Sequence, residues 1–138
     1  MRIEVTRDIT TCRALRRAVF IEEQGVSEAD EVDGLDQDAL HLLAYSDDRP
    51  VGTARILVKG ATGKIGRVCV LPAARGTGLG AALIRAALDE LRRSPGVAEA
   101  CLGAQSHATA FYEKLGFTVE GDEFLDAGIP HRHMRRRL

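Results

Sequence analysis

The chain has 138 residues, of which 45% are hydrophobic and 28% are charged, and its formal net charge is −1. This length suits one domain with one core, so residues 1–138 are expected to form a single domain, and the composition argues against disorder. The near-zero charge gives no reason to expect a nucleic-acid partner. Because the sequence contains neither an apolar run of membrane-spanning length nor a signal-peptide pattern, a soluble, cytoplasmic protein without a membrane partner is expected.

The first part of the chain predicts a strand, a helix and a loop. Apolar and charged residues alternate over residues 1–8, which is typical of a half-buried strand. Apolar residues then recur at helical spacing, and this helix is expected to begin at Asp8 or Thr10 as its N-cap and to end at Gly25. Residues 26–38 are polar and acidic, and we expect a loop that is solvated or that attracts a cationic amine.

The rest of the chain predicts a mixed sheet. Strand patterns cover residues 39–47, 51–59, 64–72, 97–105, 117–124 and 129–138. Helices are predicted over residues 77–93 and 106–116, and the second should end at Gly116 in the left-handed conformation. This order of elements predicts an α/β (α+β) domain whose helices cover the faces of the sheet.

Cysteine and histidine spacing does not predict a metal site. Cys12, Cys69 and Cys101 are scattered, so we expect free thiols in core positions. His131 and His133 lack further ligands, and the acidic residues 28–38 lack the spacing of an EF-hand.

The stretch RGTGLGAALI, residues 75–84, places three glycines where a predicted strand turns into a helix. A helix N-terminus offers unpaired N–H groups and partial positive charge, glycines allow close approach, and Arg75 adds a cation. A phosphate cradle and a merely tight turn fit this spacing about equally well. A P-loop is excluded because Ile65 follows Gly63 and Lys64.

A dinucleotide site is a weaker alternative. Gly76, Gly78 and Ala81 match the G-x-G-x-x-A fingerprint. That site also needs an acid at the end of the next strand to hold the ribose, and here the strand ends in Ala104 and Gln105.

A second signature, AFYEKLGF at residues 110–117, follows the next strand. Together the two stretches resemble the GNAT superfamily of N-acetyltransferases: the first is similar to its acetyl-CoA pyrophosphate loop and the second to its C-terminal half-motif. RRAVFIEEQGV and AGIPHRHM resemble a bacterial subgroup of small GNAT enzymes. The resemblance implies a GNAT fold, with a mixed, mostly antiparallel central sheet, helices on both faces and a splayed parallel strand pair.

The resemblance also implies acetyl-CoA as co-substrate. The strand backbone at residues 68–70 would bind the pantetheine arm, and the Val70 N–H would polarise the thioester carbonyl. The N–H groups of the glycine turn would hold the pyrophosphate. The cofactor-binding residues predicted in this way are Val68, Cys69, Val70, Arg75, Gly76, Thr77, Gly78, Leu79, Gly80 and Ala81.

Two residues are predicted to be catalytic. Tyr112 matches the general acid of the superfamily, although a core aromatic residue is the alternative. Glu23 lies in the region where these enzymes build the acceptor site, and it is the candidate base. His41, His131 or a water molecule held by one of these side chains remains open as the base.

The function predicted is transfer of the acetyl group of acetyl-CoA to a primary amine of a small molecule, by direct attack in a ternary complex. Transfer to a protein lysine, transfer of another acyl group, a non-catalytic acyl-CoA sensor and a nucleotide-binding regulatory domain are the alternatives. The expected partner is the small-molecule amine, and a homodimer is left open.

Overall fold

The computed structural model describes all 138 residues and contains a seven-stranded sheet with helices on both faces. The strands are β1 (Arg2–Thr6), β2 (Leu40–Ser46), β3 (Arg49–Lys59), β4 (Thr62–Val70), β5 (Glu99–Gln105), β6 (Thr118–Asp126) and β7 (Ile129–Arg137). Their order across the sheet is β1-β2-β3-β4-β5-β7-β6. Neighbouring strands are antiparallel except β4 and β5, which confirms the predicted fold class.

The helices are α1 (Ile9–Arg16), α2 (Glu28–Glu31), α3 (Leu79–Arg92) and α4 (Thr109–Glu113), and α1 continues into a π-helical segment, Arg17–Glu23. Short 3₁₀ turns lie at Asp36–Asp38, Pro72–Ala74 and Ser106–Ala108. Asp8 caps α1, because its carboxylate accepts the Thr11 N–H at 3.1 Å. Gly25 follows the π-helical segment with a φ of 73°, so both predicted ends of this helical region are confirmed.

The sheet opens between β4 and β5. These strands pair only over Thr62–Lys64 and Glu99–Cys101. Beyond that point β4 carries a bulge at Arg67, whose φ is 51°. Since a bulge bends its strand and increases the local twist, the end of β4 turns away from β5 and leaves a gap in the sheet.

Hydrophobic side chains fill both faces of the sheet. The larger cluster centres on α3, whose buried residues are Leu79, Leu83, Ile84, Ala87, Leu88 and Leu91. This helix lies so close to β4 that a Cβ on Gly63 would come within 2.2 Å of Leu91 Cδ2. The smaller cluster lies under α1 and consists of Cys12, Leu15, Val19, Leu43 and Cys69. The three cysteines are free thiols, as predicted, with Cys101 half-buried. None of the helices combines the length and apolarity that a membrane span requires.

Two predicted helix boundaries were wrong. The helix α3 begins at Leu79 rather than Thr77, because Gly76 and Gly78 have φ values of 76° and 82°, which an α-helix does not contain. The predicted helix over residues 106–116 starts as a 3₁₀ turn and is α-helical only from Thr109 to Glu113. Gly116 follows it with a φ of 91°, as predicted.

The acidic segment 26–38 is largely exposed, as a solvated loop would be, but two of its carboxylates are buried. Asp36 is buried, and Arg16 donates to its two carboxylate oxygens at 2.9 and 2.6 Å. Glu31 is also buried, with a carboxylate oxygen 2.7 Å from Arg16 Nε. Hydrogen bonds from Arg16 hold the pKa of Asp36 well below its usual value. The expectation of a solvated loop failed at these two residues because their carboxylates are neutralised by arginines on α1 and β3.

Candidate functional site

The gap between β4 and β5 opens into a cavity of about 310 Å³. Its walls come from both faces of the sheet. Phe20 and Gln24 contribute from the π-helical side, and Ala108 and Tyr112 contribute from the opposite side. Two molecules could therefore approach from opposite faces and meet inside the gap.

The main chain of β4 faces this gap at Val68 and Val70. The Leu71 N–H donates to the Val51 carbonyl at 2.8 Å, so residue 71 is hydrogen-bonded to β3. Because hydrogen bonding alternates along an antiparallel strand, the polar groups of Val70 point away from β3. The Val70 carbonyl accepts the Arg75 Nε–H at 2.9 Å. The Val70 N–H lies on the same side, where an added strand or an extended ligand would pair with it.

Cys69 lies between these two valines but faces the other way. Its side chain packs in the cluster under α1, and burial raises the pKa of its thiol to about 12. Its thiol is therefore protonated at neutral pH and is a poor nucleophile. By the same alternation, the N–H and carbonyl of Cys69 point toward Thr53 of β3, so this residue offers no free polar group to a ligand in the gap.

The glycine turn has the geometry of an anion cradle. The N–H groups of Gly76, Thr77 and Gly78 donate to no carbonyl of the chain. They lead into the first turn of α3, whose N–H groups have no partners within the helix. A Cβ added at Gly76 or Gly78 would meet no protein atom within 4 Å, so the space in front of the turn is open. This arrangement fits a pyrophosphate.

Arg75 and Glu23, which were predicted for different parts of the site, contact each other. Arg75 donates to the two carboxylate oxygens of Glu23 at 2.7 and 2.6 Å. These hydrogen bonds lower the pKa of Glu23, which makes its carboxylate a weaker base. The assignment of Glu23 as the base stays a prediction, and the ion pair argues against it.

Tyr112 lies in the wall of the cavity on the α4 side. Its ring packs edge-to-face against Phe111 and Phe117, at centroid distances of 4.9 and 6.1 Å. Burial raises the pKa of its hydroxyl to about 12. The hydroxyl therefore stays protonated at neutral pH, which a proton donor requires. Its role as the general acid stays a prediction.

Of the two histidines considered as the base, only His131 lines the cavity. His41 is only 2% exposed, its Nε2 bonds to the Asp36 carbonyl at 2.8 Å, and it does not line the cavity. His131 does line the cavity, together with His133 and Phe124. Sequence reasoning missed Phe124 as a site residue, although the period-two pattern of β6 and β7 contains the signal that groups it with the two histidines.

Gln24 and Gln105 were also missed as residues of the site. The Gln105 side chain donates to Gln24 Oε1 at 3.0 Å, and its own Oε1 accepts the Nε2–H of His107 at 2.8 Å. This contact joins the end of β5 to the π-helical side of the cavity. No group of three or more histidine, cysteine, aspartate or glutamate side chains is placed to hold a metal ion.

A sheet split between two parallel strands, with a glycine turn beside the split, is the arrangement that the resemblance to the GNAT superfamily of N-acetyltransferases implies. The comparison with protein families agrees. Residues 9–138 match the model of the Acetyltransferase (GNAT) domain, and the chain belongs to this family.

Individual relatives support the same family. The N-acetyltransferase YjcF of Bacillus subtilis strain 168, itself uncharacterised, is 38% identical over 123 residues, which are 88% of this chain and 87% of that protein. The crystal structure of an acyl-CoA N-acyltransferase from Pseudomonas aeruginosa is 32% identical and covers 99% of both chains, with a TM-score of 0.88. An aminoglycoside 6′-N-acetyltransferase complexed with coenzyme A shares the fold at 19% identity, with a TM-score of 0.78 over 99% of this chain and 97% of that one.

Proposed function

We propose that this protein transfers the acetyl group of acetyl-CoA to a primary amine of a small molecule, by direct attack within a ternary complex. The observation that carries the proposal is the cavity through the split sheet, which connects the exposed main chain of β4 with Tyr112. Membership of the GNAT family supports acyl transfer. The coenzyme A bound to the aminoglycoside acetyltransferase of the same fold supports the choice of donor. A volume of about 310 Å³ is in the range of small-molecule sites.

The chain's own residues would bind the donor by main-chain contacts. The N–H groups from Gly76 to Ala81 would hold the pyrophosphate, and Val68 and Val70 would pair with the pantetheine arm. Acetyl-CoA supplies an activated thioester. The Val70 N–H would stabilise the negative charge that develops on the thioester carbonyl oxygen. In enzymes from which such a donor has been removed, the loss is roughly 3–4 kcal/mol.

The reaction also needs two proton transfers, because the amine loses a proton and the sulfur gains one. Tyr112 would protonate the departing sulfur from the α4 side of the cavity. Its raised pKa keeps the hydroxyl in the donor form at neutral pH. The amine would enter from the opposite side, between Phe20 and Phe124.

Binding and turnover measured on one preparation test this function. Calorimetric titrations with acetyl-CoA and NAD should show tighter binding of acetyl-CoA. Thiol release from acetyl-CoA should then be followed with a panel of small amines and with a lysine-containing peptide. We expect release with at least one small amine. Binding without release would make the protein a sensor, release with the peptide alone would remove the small-molecule acceptor, and tighter binding of NAD would overturn the choice of donor.

A further inference from the structure

The tautomer of the neutral His131 ring follows from a hydrogen bond on its own strand. Its Nδ1 lies 2.7 Å from the Ile129 carbonyl oxygen. A carbonyl oxygen only accepts, so Nδ1 carries the hydrogen and Nε2 of the neutral ring carries the lone pair. Nε2 makes no hydrogen bond within the chain, and the side chain forms part of the cavity wall. A free basic nitrogen is thus present on the acceptor side of the cavity.

The ring of His131 is also held in place. It packs on Phe124 at a centroid distance of 5.8 Å, and Phe124 stacks on His133 at 4.1 Å. His131 of β7 is paired with Gln105 of β5, and the Gln105 side chain donates a hydrogen bond to Gln24. Fixed orientation is what a proton acceptor needs if it is to act on a bound amine.

Each of the other candidate bases is bound by another side chain, lies outside the cavity or lacks a fixed acceptor nitrogen. Glu23 is bound at both oxygens by Arg75. His41 is buried outside the cavity, and His107 contacts Gln105 without lining the cavity. His133 also lines the cavity and stacks on Phe124, but no hydrogen bond within the chain fixes which of its ring nitrogens carries the lone pair.

We propose that His131 is the general base that accepts the proton of the acceptor amine, an assignment that rests on the acetyltransferase function proposed above. The amine lone pair forms the new C–N bond at the thioester carbon, the C–S bond breaks, and its electron pair leaves on sulfur. The proton lost by nitrogen goes to Nε2 of His131, and sulfur receives one from Tyr112. Both side chains return to their starting state through solvent, so protons and electrons balance.

Other ionisable groups share this cavity and could shape a pH profile. They are Asp30, Glu31, Lys64, Arg67, Tyr112, Asp126 and His133. Glu31 and Arg67 are engaged in the ion-pair cluster with Arg16 and Asp33. Two of the ionisable side chains that line the cavity are histidines, His131 and His133. A matched pair of histidine variants therefore separates their contributions.

The experiment compares His131→Gln with His133→Gln. Turnover, the acceptor KM and acetyl-CoA affinity are measured for each variant across the neutral range, with thermal melting as the check on folding. We expect His131→Gln to lower kcat by about 100-fold and to remove one limb of the wild-type pH profile of kcat, with acetyl-CoA affinity within about two-fold. His133→Gln should keep that limb. In the wild type, long-range nitrogen–proton NMR should show the Nδ1–H tautomer of His131.

Three results overturn the proposal. The first is an unchanged kcat and pH limb in His131→Gln, and the second is an Nε2–H tautomer in the wild type. Absence of turnover in a wild-type protein that binds acetyl-CoA is the third, and it also overturns the acetyltransferase function. The first two leave that function standing, so the two failures are distinguishable.

Discussion

Arg75 and Glu23 form a two-point ion pair that links the glycine turn to the end of the π-helical segment. The guanidinium donates to both carboxylate oxygens and also to the Val70 carbonyl. One side chain therefore connects the glycine turn to the π-helical segment and to β4. Both side chains are partly exposed, at 42% and 38%. A phosphate group arriving at the turn would compete with Glu23 for the same cation.

Glu23→Gln is therefore expected to strengthen coenzyme A binding. Because exposed ion pairs contribute little and are screened by salt, the gain in affinity should be only about two- to five-fold, and it should shrink in high salt. Calorimetric titration at low and high salt measures it. Glu22→Gln is the control, because Glu22 reaches only Arg17, at 4.0 Å. A hundred-fold loss of kcat at unchanged affinity would instead support Glu23 as the base.

Gly78→Ala tests whether the turn is a cradle or only a turn. Gly78 has a φ of 82° and Gly96 a φ of 80°, and neither has a protein atom within 4 Å of an added Cβ. Alanine at either position should therefore lower the free energy of unfolding by a similar amount, about 1–2 kcal/mol. We expect only Gly78→Ala to weaken acetyl-CoA binding, by about ten-fold or more. Equal affinities in the two variants would make the glycines structural.

The order of the elements along the chain and the glycine turn could be predicted because their signals are local. Alternation and helical periodicity lie within short windows, and Gly76 and Gly78 stand directly before the helix that contains Gly80. The start of α3 was misplaced because helical periodicity does not show that Gly76 and Gly78 adopt positive φ values. The motif therefore predicted the presence of the turn correctly, but the residue at which the turn ends and α3 begins was predicted incorrectly.

Contacts between distant residues could not be predicted in this way. Arg75 and Glu23 are 52 positions apart, so nothing local shows that each neutralises the other. Arg16 and Asp36 are 20 positions apart, and their burial depends on how α1 packs on the sheet. Phe124 reaches His131 only because β6 pairs with β7. The contact of Phe124 with His131 forms part of the acceptor side of the cavity, which is why that side was the least predictable from sequence.

Asp36→Asn is expected to destabilise the fold strongly. It leaves Arg16 and Arg55 buried without their shared carboxylate, and removing one partner of a buried ion pair costs about 3–5 kcal/mol. Urea unfolding at neutral pH measures this loss. Asp38→Asn is the control, since Asp38 is exposed and makes no ion pair. Equal free energies of unfolding for Asp36→Asn and Asp38→Asn would contradict the structural role of the ion pairs that Asp36 makes with Arg16 and Arg55.

The same cluster predicts loss of stability in acid. The folded protein holds the pKa of Asp36 below its ordinary 3.8, so the stabilisation is present above that pH and is lost as the pH falls through the lower folded value. The unfolding free energy of the wild type should therefore decrease steeply below about pH 4. Asp36→Asn should show a shallower decrease, because the carboxylate is already absent. Parallel acid profiles of wild type and variant would contradict this assignment.

The chain has two tyrosines, Tyr45 and Tyr112, so each can be measured alone. In Tyr45→Phe the remaining phenol should titrate near 12, since burial raises the pKa of Tyr112 to about 12. Ultraviolet absorption of the phenolate follows this directly. A midpoint near 10, the ordinary value for tyrosine, would contradict the burial of Tyr112 in solution.

Tyr112→Phe removes one hydroxyl and keeps the ring, so the contacts with Phe111 and Phe117 should survive and the melting temperature should change little. If the hydroxyl protonates the departing sulfur, kcat should fall by about 100-fold while acetyl-CoA affinity stays within about two-fold. The low side of the range for acid catalysis is expected because a thiolate leaves readily and water partly replaces the donor. Rates and affinities are compared with those of Tyr45→Phe over several pH values. An unchanged kcat would leave Tyr112 as a packing residue of the cavity wall.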